Sequence, residues 1–206
     1  MTSRVRKANK ATSAQLSESV PDSVDINGTK YTLQLTASSG LSDGVRDDLW
    51  NIFEQNMHVL YANSSMGWDP PSKKDELFDP SSRFILVRSA GSLDETQHED
   101  NSILAYTIFR FDMESGECVI YCYEMQVSKI ARRAGLGKVL MQFLSDIGHR
   151  WSMQKVMLTV FRANNSAFAF YKAIGFEVDP ISPGYGDDEW EDKDDQSDYW
   201  IMSRKI

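Results

Sequence analysis

The chain has 206 residues, 41% of them hydrophobic and 25% charged, ordinary globular usage that excludes a wholly disordered chain and fits one large domain or two small ones. Its two cysteines, Cys118 and Cys122, exclude a disulfide-rich secreted scaffold, and none of the three histidines stands at zinc-ligand spacing with them, so no metal is expected. The net charge of -8 comes with no basic face of the kind duplex nucleic acid needs and no run near the ~20 apolar residues of a membrane helix, so neither partner is expected.

Residues 1–27 are polar and without periodicity. They hold Arg4, Arg6, Lys7 and Lys10 but no apolar h-region, and read as a disordered basic leader, not a signal peptide. A reducing compartment, cytoplasm or nucleus, follows as the expected location. Residues 28–206 read as one domain. KYTLQLT (30–36) alternates Tyr31, Leu33 and Leu35 against polar neighbours and predicts the first strand. Ser42 can cap a helix in which Val45, Leu49, Ile52, Phe53, Met57 and Leu60 recur at helical spacing. MGWDPPSKKDELFD (66–79) has two prolines and reads as a loop with room for a short helix.

RFILVRS (83–89) predicts the second strand. SILAYTIFRFDM (102–113) and ECVIYCYEMQV (117–127) predict a hairpin closed by Glu114-Ser115-Gly116. From Gly135 a helix buries Leu136, Val139, Leu140, Phe143, Leu144, Ile147 and Trp151 on one face. KVMLTVF (155–161) is a fifth strand, Asn164 to Ala173 a short helix, FEVD (176–179) a strand, and Tyr199 to Ser203 the last one. Between these two, DDEWEDKDDQSD (187–198) holds eight carboxylates and one lysine, either a solvated loop or an electrostatic lure for a basic ligand. The order predicts a mixed α/β domain with one central sheet of about seven strands flanked by helices. The helix between the fourth and fifth strands is a crossover, so those two strands should run parallel with a right-handed connection.

The chemistry-bearing segment is Arg132-Arg133-Ala134-Gly135-Leu136-Gly137-Lys138, between a strand end and a helix start. Two glycines let the backbone turn sharply and a ligand come close, and free N–H groups at the helix start attract a phosphate. Arg132, Arg133 and Lys138 add positive charge. The segment fits neither a Walker loop nor the dinucleotide-binding glycine pattern. A tight strand-to-helix junction is the structural alternative.

Arg-x-x-Gly-x-Gly after a strand resembles motif A of the GNAT acetyltransferases. A second pattern, Asn164-x-x-Ala167-x-x-Phe170-Tyr171-x-x-x-Gly175-Phe176, resembles the segment with which that superfamily closes over acetyl-coenzyme A. Within the superfamily, residues 54–68, 109–127 and 155–168 resemble N-terminal acetyltransferase D (NatD), the Tyr-Cys-Tyr-Glu run at 121–124 most specifically. One departure stands out: the family's Ser-Ser-Trp-Gly-Trp is here Ser64-Ser65-Met66-Gly67-Trp68.

The resemblance implies a GNAT fold whose fourth and fifth strands splay apart, and acetyl-coenzyme A as co-substrate. It is held by Arg132, Arg133, Ala134, Gly135, Leu136, Gly137, Lys138 and Asn164, with backbone N–H groups of Met125, Gln126 and Val127 as oxyanion donors. The implied substrate is the N-terminal Ser of basic histone tails of the H-four and H-two-A classes, which begin Ser-Gly-Arg-Gly. The implied actor is a monomer without auxiliary subunit, meeting tails free or on the ribosome, in cytoplasm and nucleus.

A protein α-amino group, with pKa about 7.7–8.0, is partly neutral near pH 7, so a carboxylate acting through an ordered water is an adequate base. Glu124 is the candidate. On a flat strand it shares a face with Ile120 and Cys122, which predicts burial and a raised pKa; an exposed edge carboxylate is the alternative. Tyr123 beside it belongs to the same catalytic group, and Tyr171 occupies the position of a general acid or packs against the cofactor. By the resemblance, Asp112 and Glu114 grip the tail's polar groups and Arg, Tyr61, Trp68, Tyr121, Tyr123 and Tyr199 supply aromatic contacts, and Thr159 bonds the first residue. Cys118 and Cys122 read as packing thiols. The alternatives are a lysine or broad-specificity N-terminal acetyltransferase of the same fold, or a non-catalytic module binding coenzyme A or histone tails.

Overall fold

A computed structural model describes residues 2–90, 102–185 and 197–206. In chain order they form α1 (Ser3–Asn9), α2 (Ser13–Ser17), β1 (Ser23–Ile26), β2 (Thr29–Ala37), α3 (Asp43–Ala62), α4 (Pro70–Leu77), β3 (Arg83–Ser89), β4 (Ile103–Glu114), β5 (Glu117–Val127), α5 (Leu136–Arg150), β6 (Lys155–Phe161), α6 (Asn165–Ala173), β7 (Glu177–Val178) and β8 (Tyr199–Lys205). The strands make one open sheet of eight, in the order β1-β2-β3-β4-β5-β6-β8-β7. All neighbours are antiparallel except β5 and β6, which are parallel and joined by the α5 crossover. The eighth strand, β1, falls inside the segment expected as leader.

Local chemistry sets the boundaries. Ser42 accepts the Val45 N–H at 3.4 Å and starts α3. Asp69 caps α4, with Pro70 at its first position, where a missing N–H costs nothing. The short helix that the 66–79 loop had room for is therefore two turns long and begins at its own prolines. Ser115 (φ +48°) and Gly116 (φ +86°) are both left-handed, the geometry of the tightest β4–β5 hairpin.

The sheet has two apolar faces. Beneath α5 and α6 lie Ile120, Leu140, Leu144, Ile147, Leu158 and Phe176; beneath α3 and α4 lie Leu49, Phe53, Leu77, Phe84, Tyr106 and Ile108. These two layers fix where α3, α4, α5 and α6 stand relative to the β5–β6 boundary.

Residues 2–26 correct the sequence expectation, because they are ordered. Thr2 caps α1, and Thr12 with Gln15 forms a reciprocal capping box on α2. Val5, Ala8 and Leu16 are fully buried in the first core layer. The Asn9 amide donates to the Phe111 carbonyl at 3.1 Å, and Arg83 donates to the Asn9 carbonyl at 3.2 Å. Helices this short have no stability of their own, and their few apolar side chains leave no period to read; tertiary packing supplies both.

Candidate active site

β5 and β6 pair from Val119↔Lys155 to Cys122↔Leu158 and no further. Beyond that point β5 stays bound to β4 as far as Val127, and β6 stays bound to β8 as far as Phe161. The two strands therefore part, and a cleft of about 1160 Å³ opens at their junction. At the end of the pairing, Tyr121 and Thr159 share a 2.6 Å hydroxyl hydrogen bond across the two strands. The expected splay of these strands is present, and no side chain of the described residues fills it.

A β-bulge lies on the cleft wall. Ile108 opposes Glu124 while its neighbour Phe109 opposes Cys122, so Tyr123 is the extra residue on β5. A bulge puts two successive side chains on the same side of the sheet. Cys122 packs in the layer under α5 and α6, whereas Glu124 faces α3 and α4 with Tyr123. The flat-strand reading, in which Glu124 shares a face with Ile120 and Cys122, is therefore overturned. The burial it predicted is present for a different reason: the bulge re-aims the carboxylate under two helices.

Glu124 is 7% exposed. Its Oε1 lies 3.1 Å from Nζ of Lys73 on α4, and its Oε2 accepts the Gln126 amide at 2.8 Å. Burial pushes the carboxyl above its ordinary pKa, against the opposing pull of the Lys73 ammonium and the Gln126 hydrogen bond. Lys73 also meets Glu76 at 2.9 Å and lies over the rings of Tyr61 and Phe53, 5.0 and 5.4 Å from their centroids. Burial works against its charge, but Glu124 and Tyr61 outweigh it, so Lys73 stays an ammonium. Burial raises the Tyr61 phenol as well and pushes the Cys122 thiol up to about 12, so both remain neutral.

A hydrogen-bonded row ties this pair to the glycine turn. Arg132 Nη2 donates to Asn56 Oδ1 at 2.5 Å, and Asn56 Nδ2 donates to Gln126 Oε1 at 3.0 Å and to the Val127 carbonyl at 3.1 Å. Sequence reasoning missed Lys73, Glu76 and Asn56. Lys73 and Glu76 sit in the stretch read as a loop with room for a short helix, and Asn56 is a polar residue within a helix.

Gly135, the residue before α5, has φ +91°, and Arg133 has φ +69°. No side chain caps α5, which leaves the first N–H groups of the helix to face the cleft. A Cβ on Gly137 would come within 3.2 Å of Phe170 and 3.4 Å of Met125, so the backbone passes close to both. An uncapped helix start with two arginines and a lysine fits a phosphate-bearing group such as acetyl-coenzyme A. On the opposite rim Asn164 accepts the Ala167 N–H at 3.2 Å and starts α6. Ser128 donates to the Leu104 carbonyl at 2.8 Å. Antiparallel alternation from that bond sends Gln126 toward β4, and the N–H groups of Met125 and Val127 toward the open side.

The expected site residues separate into two sets. Glu124, Tyr123, Tyr171, Met125, Gln126, Val127, Arg132, Arg133, Gly135, Leu136, Gly137, Lys138 and Asn164 line the cleft, as do Tyr61, Glu114, Tyr121 and Thr159. Trp68, Asp112, Tyr199 and Ala134 do not. Trp68 is stacked on Phe53 and packs against Trp50 and His58, an inner wall behind Tyr61. Asp112 accepts its neighbour Met113's N–H at 2.8 Å. Tyr199 starts β8 opposite Phe161, and Ala134 packs on the core under the turn. Met66, where the family pattern has Trp, lines the cleft and is half exposed. Tyr171 is buried, its phenol pushed well above the ordinary value by burial, and its hydroxyl makes no hydrogen bond among the described residues. Residues 187–196 of the acidic run lie outside the described residues; Asp198 binds the Ser65 N–H at 2.6 Å and the Ser65 hydroxyl at 2.9 Å.

A splayed parallel strand pair beside a glycine turn at a helix start defines an acyl-transferring α/β fold. Residues 46–176, more than half of the chain, match the acetyltransferase (GNAT) family, and the protein belongs to that family. Three solved structures share the fold. Ribosomal-protein-S18-alanine N-acetyltransferase from Escherichia coli is 18% identical, with 85% of this chain and 94% of that one covered at a TM-score of 0.54. Naa50 from Arabidopsis thaliana, solved with the bisubstrate analogue CoA-Ac-MVNAL, is 18% identical over 84% of this chain and 99% of that one, at 0.51. NAA60 from the same plant, also solved with a bisubstrate analogue, is 13% identical over 85% and 98%, at 0.55. The chain is an acetyltransferase of the GNAT type with acetyl-coenzyme A as its expected acyl donor. Among the described residues no cluster of three His, Cys, Asp or Glu is placed to hold a metal ion.

Proposed function

We propose that the protein is an N-terminal α-amino acetyltransferase of the NatD type, acting on the N-terminal Ser of histone tails that begin Ser-Gly-Arg-Gly. The observation that carries the reading is a bulge-aimed, buried carboxylate on the wall of a cleft between parting strands. The Arg132–Lys138 turn holds the phosphates of acetyl-coenzyme A, which supplies the acyl group. The chain terminus enters from the α3–α4 side. Glu124, with its pKa raised by burial, takes the proton from the α-amine through a water. The N–H groups of Met125 and Val127 face the acyl oxygen as its charge grows. Tyr171, with a free hydroxyl, stands where it can protonate the departing thiolate, although a thiol of pKa about 8.5 gains little from an acid.

For a tail with a small first residue, no side chain at the second and Arg third, selectivity must come from backbone contacts and a carboxylate for the guanidinium. Thr159 and the hydroxyls of Tyr121 and Tyr61 serve the first need. Glu114, on the cleft, serves the second. Burial and Asp112 raise its pKa, and a guanidinium would reverse that. Asp112 and Tyr199, off the cleft wall, join the site only if the tail reaches past its mouth. Basic tails in cytoplasm and nucleus, met free or on the ribosome, are the partners in this reading.

The test is thiol release from acetyl-coenzyme A with a Ser-Gly-Arg-Gly peptide, with the product mapped by mass. The expected result is one acetyl group on the free N-terminus and none on an N-terminally blocked peptide. Undiminished acetylation of the blocked peptide would mean a lysine acetyltransferase. Binding of either peptide without thiol release would mean a non-catalytic module.

A further inference from the structure

We propose that Lys73 is the positioning residue of the Glu124 base: its ammonium keeps the carboxylate ionised and aimed into the cleft. The proposal rests on the reading of Glu124 as the base. The geometry is specific. Lys73 projects from α4 into the cleft wall, 8% exposed, and reaches Glu124 at 3.1 Å and Glu76 at 2.9 Å. Its remaining side lies against the rings of Tyr61 and Phe53. Taking an ammonium and a carboxylate out of water is expensive, and replacing such a pair with apolar side chains is often neutral or stabilising. A stability role would be filled as well by Met. What Met could not do is hold a neighbouring carboxylate in its charged form.

Every group that faces Glu124 bears on its protonation. Lys73 and Glu76 face it from α4, Tyr61 from α3, Tyr106 from β4 and Gln126 from β5, while the Cys122 thiol and the Tyr171 phenol stand across the sheet from it, in the layer under α5 and α6. The three phenols and the thiol are held neutral by burial. Glu76 is an acid and opposes ionisation. Lys73 is the one cation in contact with Glu124 among the described residues. Without it, an apolar wall that includes Met57 and Leu60 favours the neutral carboxyl, which cannot accept a proton. An amine approaching Glu124 also meets this positive charge, which disfavours its own protonated form.

The experiment titrates the side-chain carboxyl of Glu124 by carbon NMR on glutamate-labelled protein, with Glu124→Gln to assign the signal. Lys73→Met should raise the midpoint by about 1–3 pH units, the size of one close opposite charge. Lys73→Arg should return it most of the way. Lys74→Met, whose ammonium lies over Trp50 outside the cleft, should leave it unmoved. The acid limb of kcat/KM should move to higher pH in Lys73→Met by the same amount, with activity recovering at alkaline pH. An unmoved midpoint in Lys73→Met, or a loss of rate equal at every pH, overturns the proposal. Should Lys73→Met fail to fold, the reciprocal measurement decides: in Glu124→Gln the Lys73 ammonium must titrate at lower pH than in the wild type, and no change there overturns the pairing. Wild-type protein that releases no thiol with any N-terminal peptide would instead overturn the acetyl-transfer reading, while the midpoints judge Lys73 separately.

Discussion

Two buried lysines sit at opposite ends of the β5–β6 junction, each between two carboxylates. At the closed end Lys155 meets Glu117 at 2.6 Å and Asp179 at 2.7 Å. At the open end Lys73 meets Glu76 and Glu124. The charges match, but the buried carboxylates shift in opposite directions. Burial raises both, yet Asp179 ends below its ordinary value because Lys155, Ser203 and the Ile181 N–H all bond its charged form. Glu124 has Lys73 and Gln126 alone and ends above. A fully bonded carboxylate serves as a structural pin; one left short of donors, on a cleft wall, retains the capacity to take a proton. Deeper burial of Glu124 and the larger number of hydrogen bonds to the Asp179 anion together separate the two.

That contrast can be broken most severely at Glu124. Glu124→Gln should lower kcat by about 10²–10⁴-fold, the usual worth of a positioned base, with KM for the peptide within a few fold. Steady-state rates with the Ser-Gly-Arg-Gly peptide decide it, and full retention of kcat would remove Glu124 as base. At the closed end the loss should be in stability. Asp179→Asn leaves the Lys155 ammonium with Glu117 alone and should cost about 1.5–3 kcal/mol, read by denaturant unfolding, with kcat of the folded fraction unchanged. The sign with pH follows from the lowered pKa of Asp179. Its contribution is complete above the unfolded-state value of about 3.9 and is lost as pH falls through the folded-state value. Wild-type stability should therefore drop in that acid window more steeply than that of Asp179→Asn.

A smaller effect is expected at the turn. Ala at Gly137 pushes a methyl group toward Phe170 and Met125 at the edge of the cleft, and should raise KM for acetyl-coenzyme A several fold more than KM for the peptide. Equal changes in both would mean that the turn does not hold the cofactor. The smallest effect is expected at Tyr171→Phe. Loss of an unbonded hydroxyl should change kcat by less than about tenfold, since the departing thiolate needs little help from an acid.

The sheet was legible in the sequence because β2 alternates, β3 and β6 are short apolar runs, and the long helices carry a buried face. The glycine turn was legible because Gly135 and Gly137 mark backbone that a Cβ would obstruct. The cleft wall was less so. Glu124 was identified, but its face was assigned from flat-strand alternation, which a bulge reverses without any local signal in Tyr-Cys-Tyr-Glu. Trp68 and Asp112 were placed with the substrate, although one is inner packing and the other bonds its neighbour's backbone. Lys73 left no trace, because a lysine in Lys-Lys-Asp reads as solvated until the helix bearing it is laid against β5.

The sequence by itself determined the strand and helix order, the parallel crossover and the chemistry of the turn, since each depends on neighbours within a few residues. Tertiary structure alone decided which side chains meet Glu124, how it is charged, and that residues 2–26 fold onto the sheet. Those outcomes depend on burial and on pairings between residues tens of positions apart, such as Lys73 with Glu124 and Asn9 with Phe111. A carboxylate's affinity for protons is set by what surrounds it in space, and the chain order does not record that.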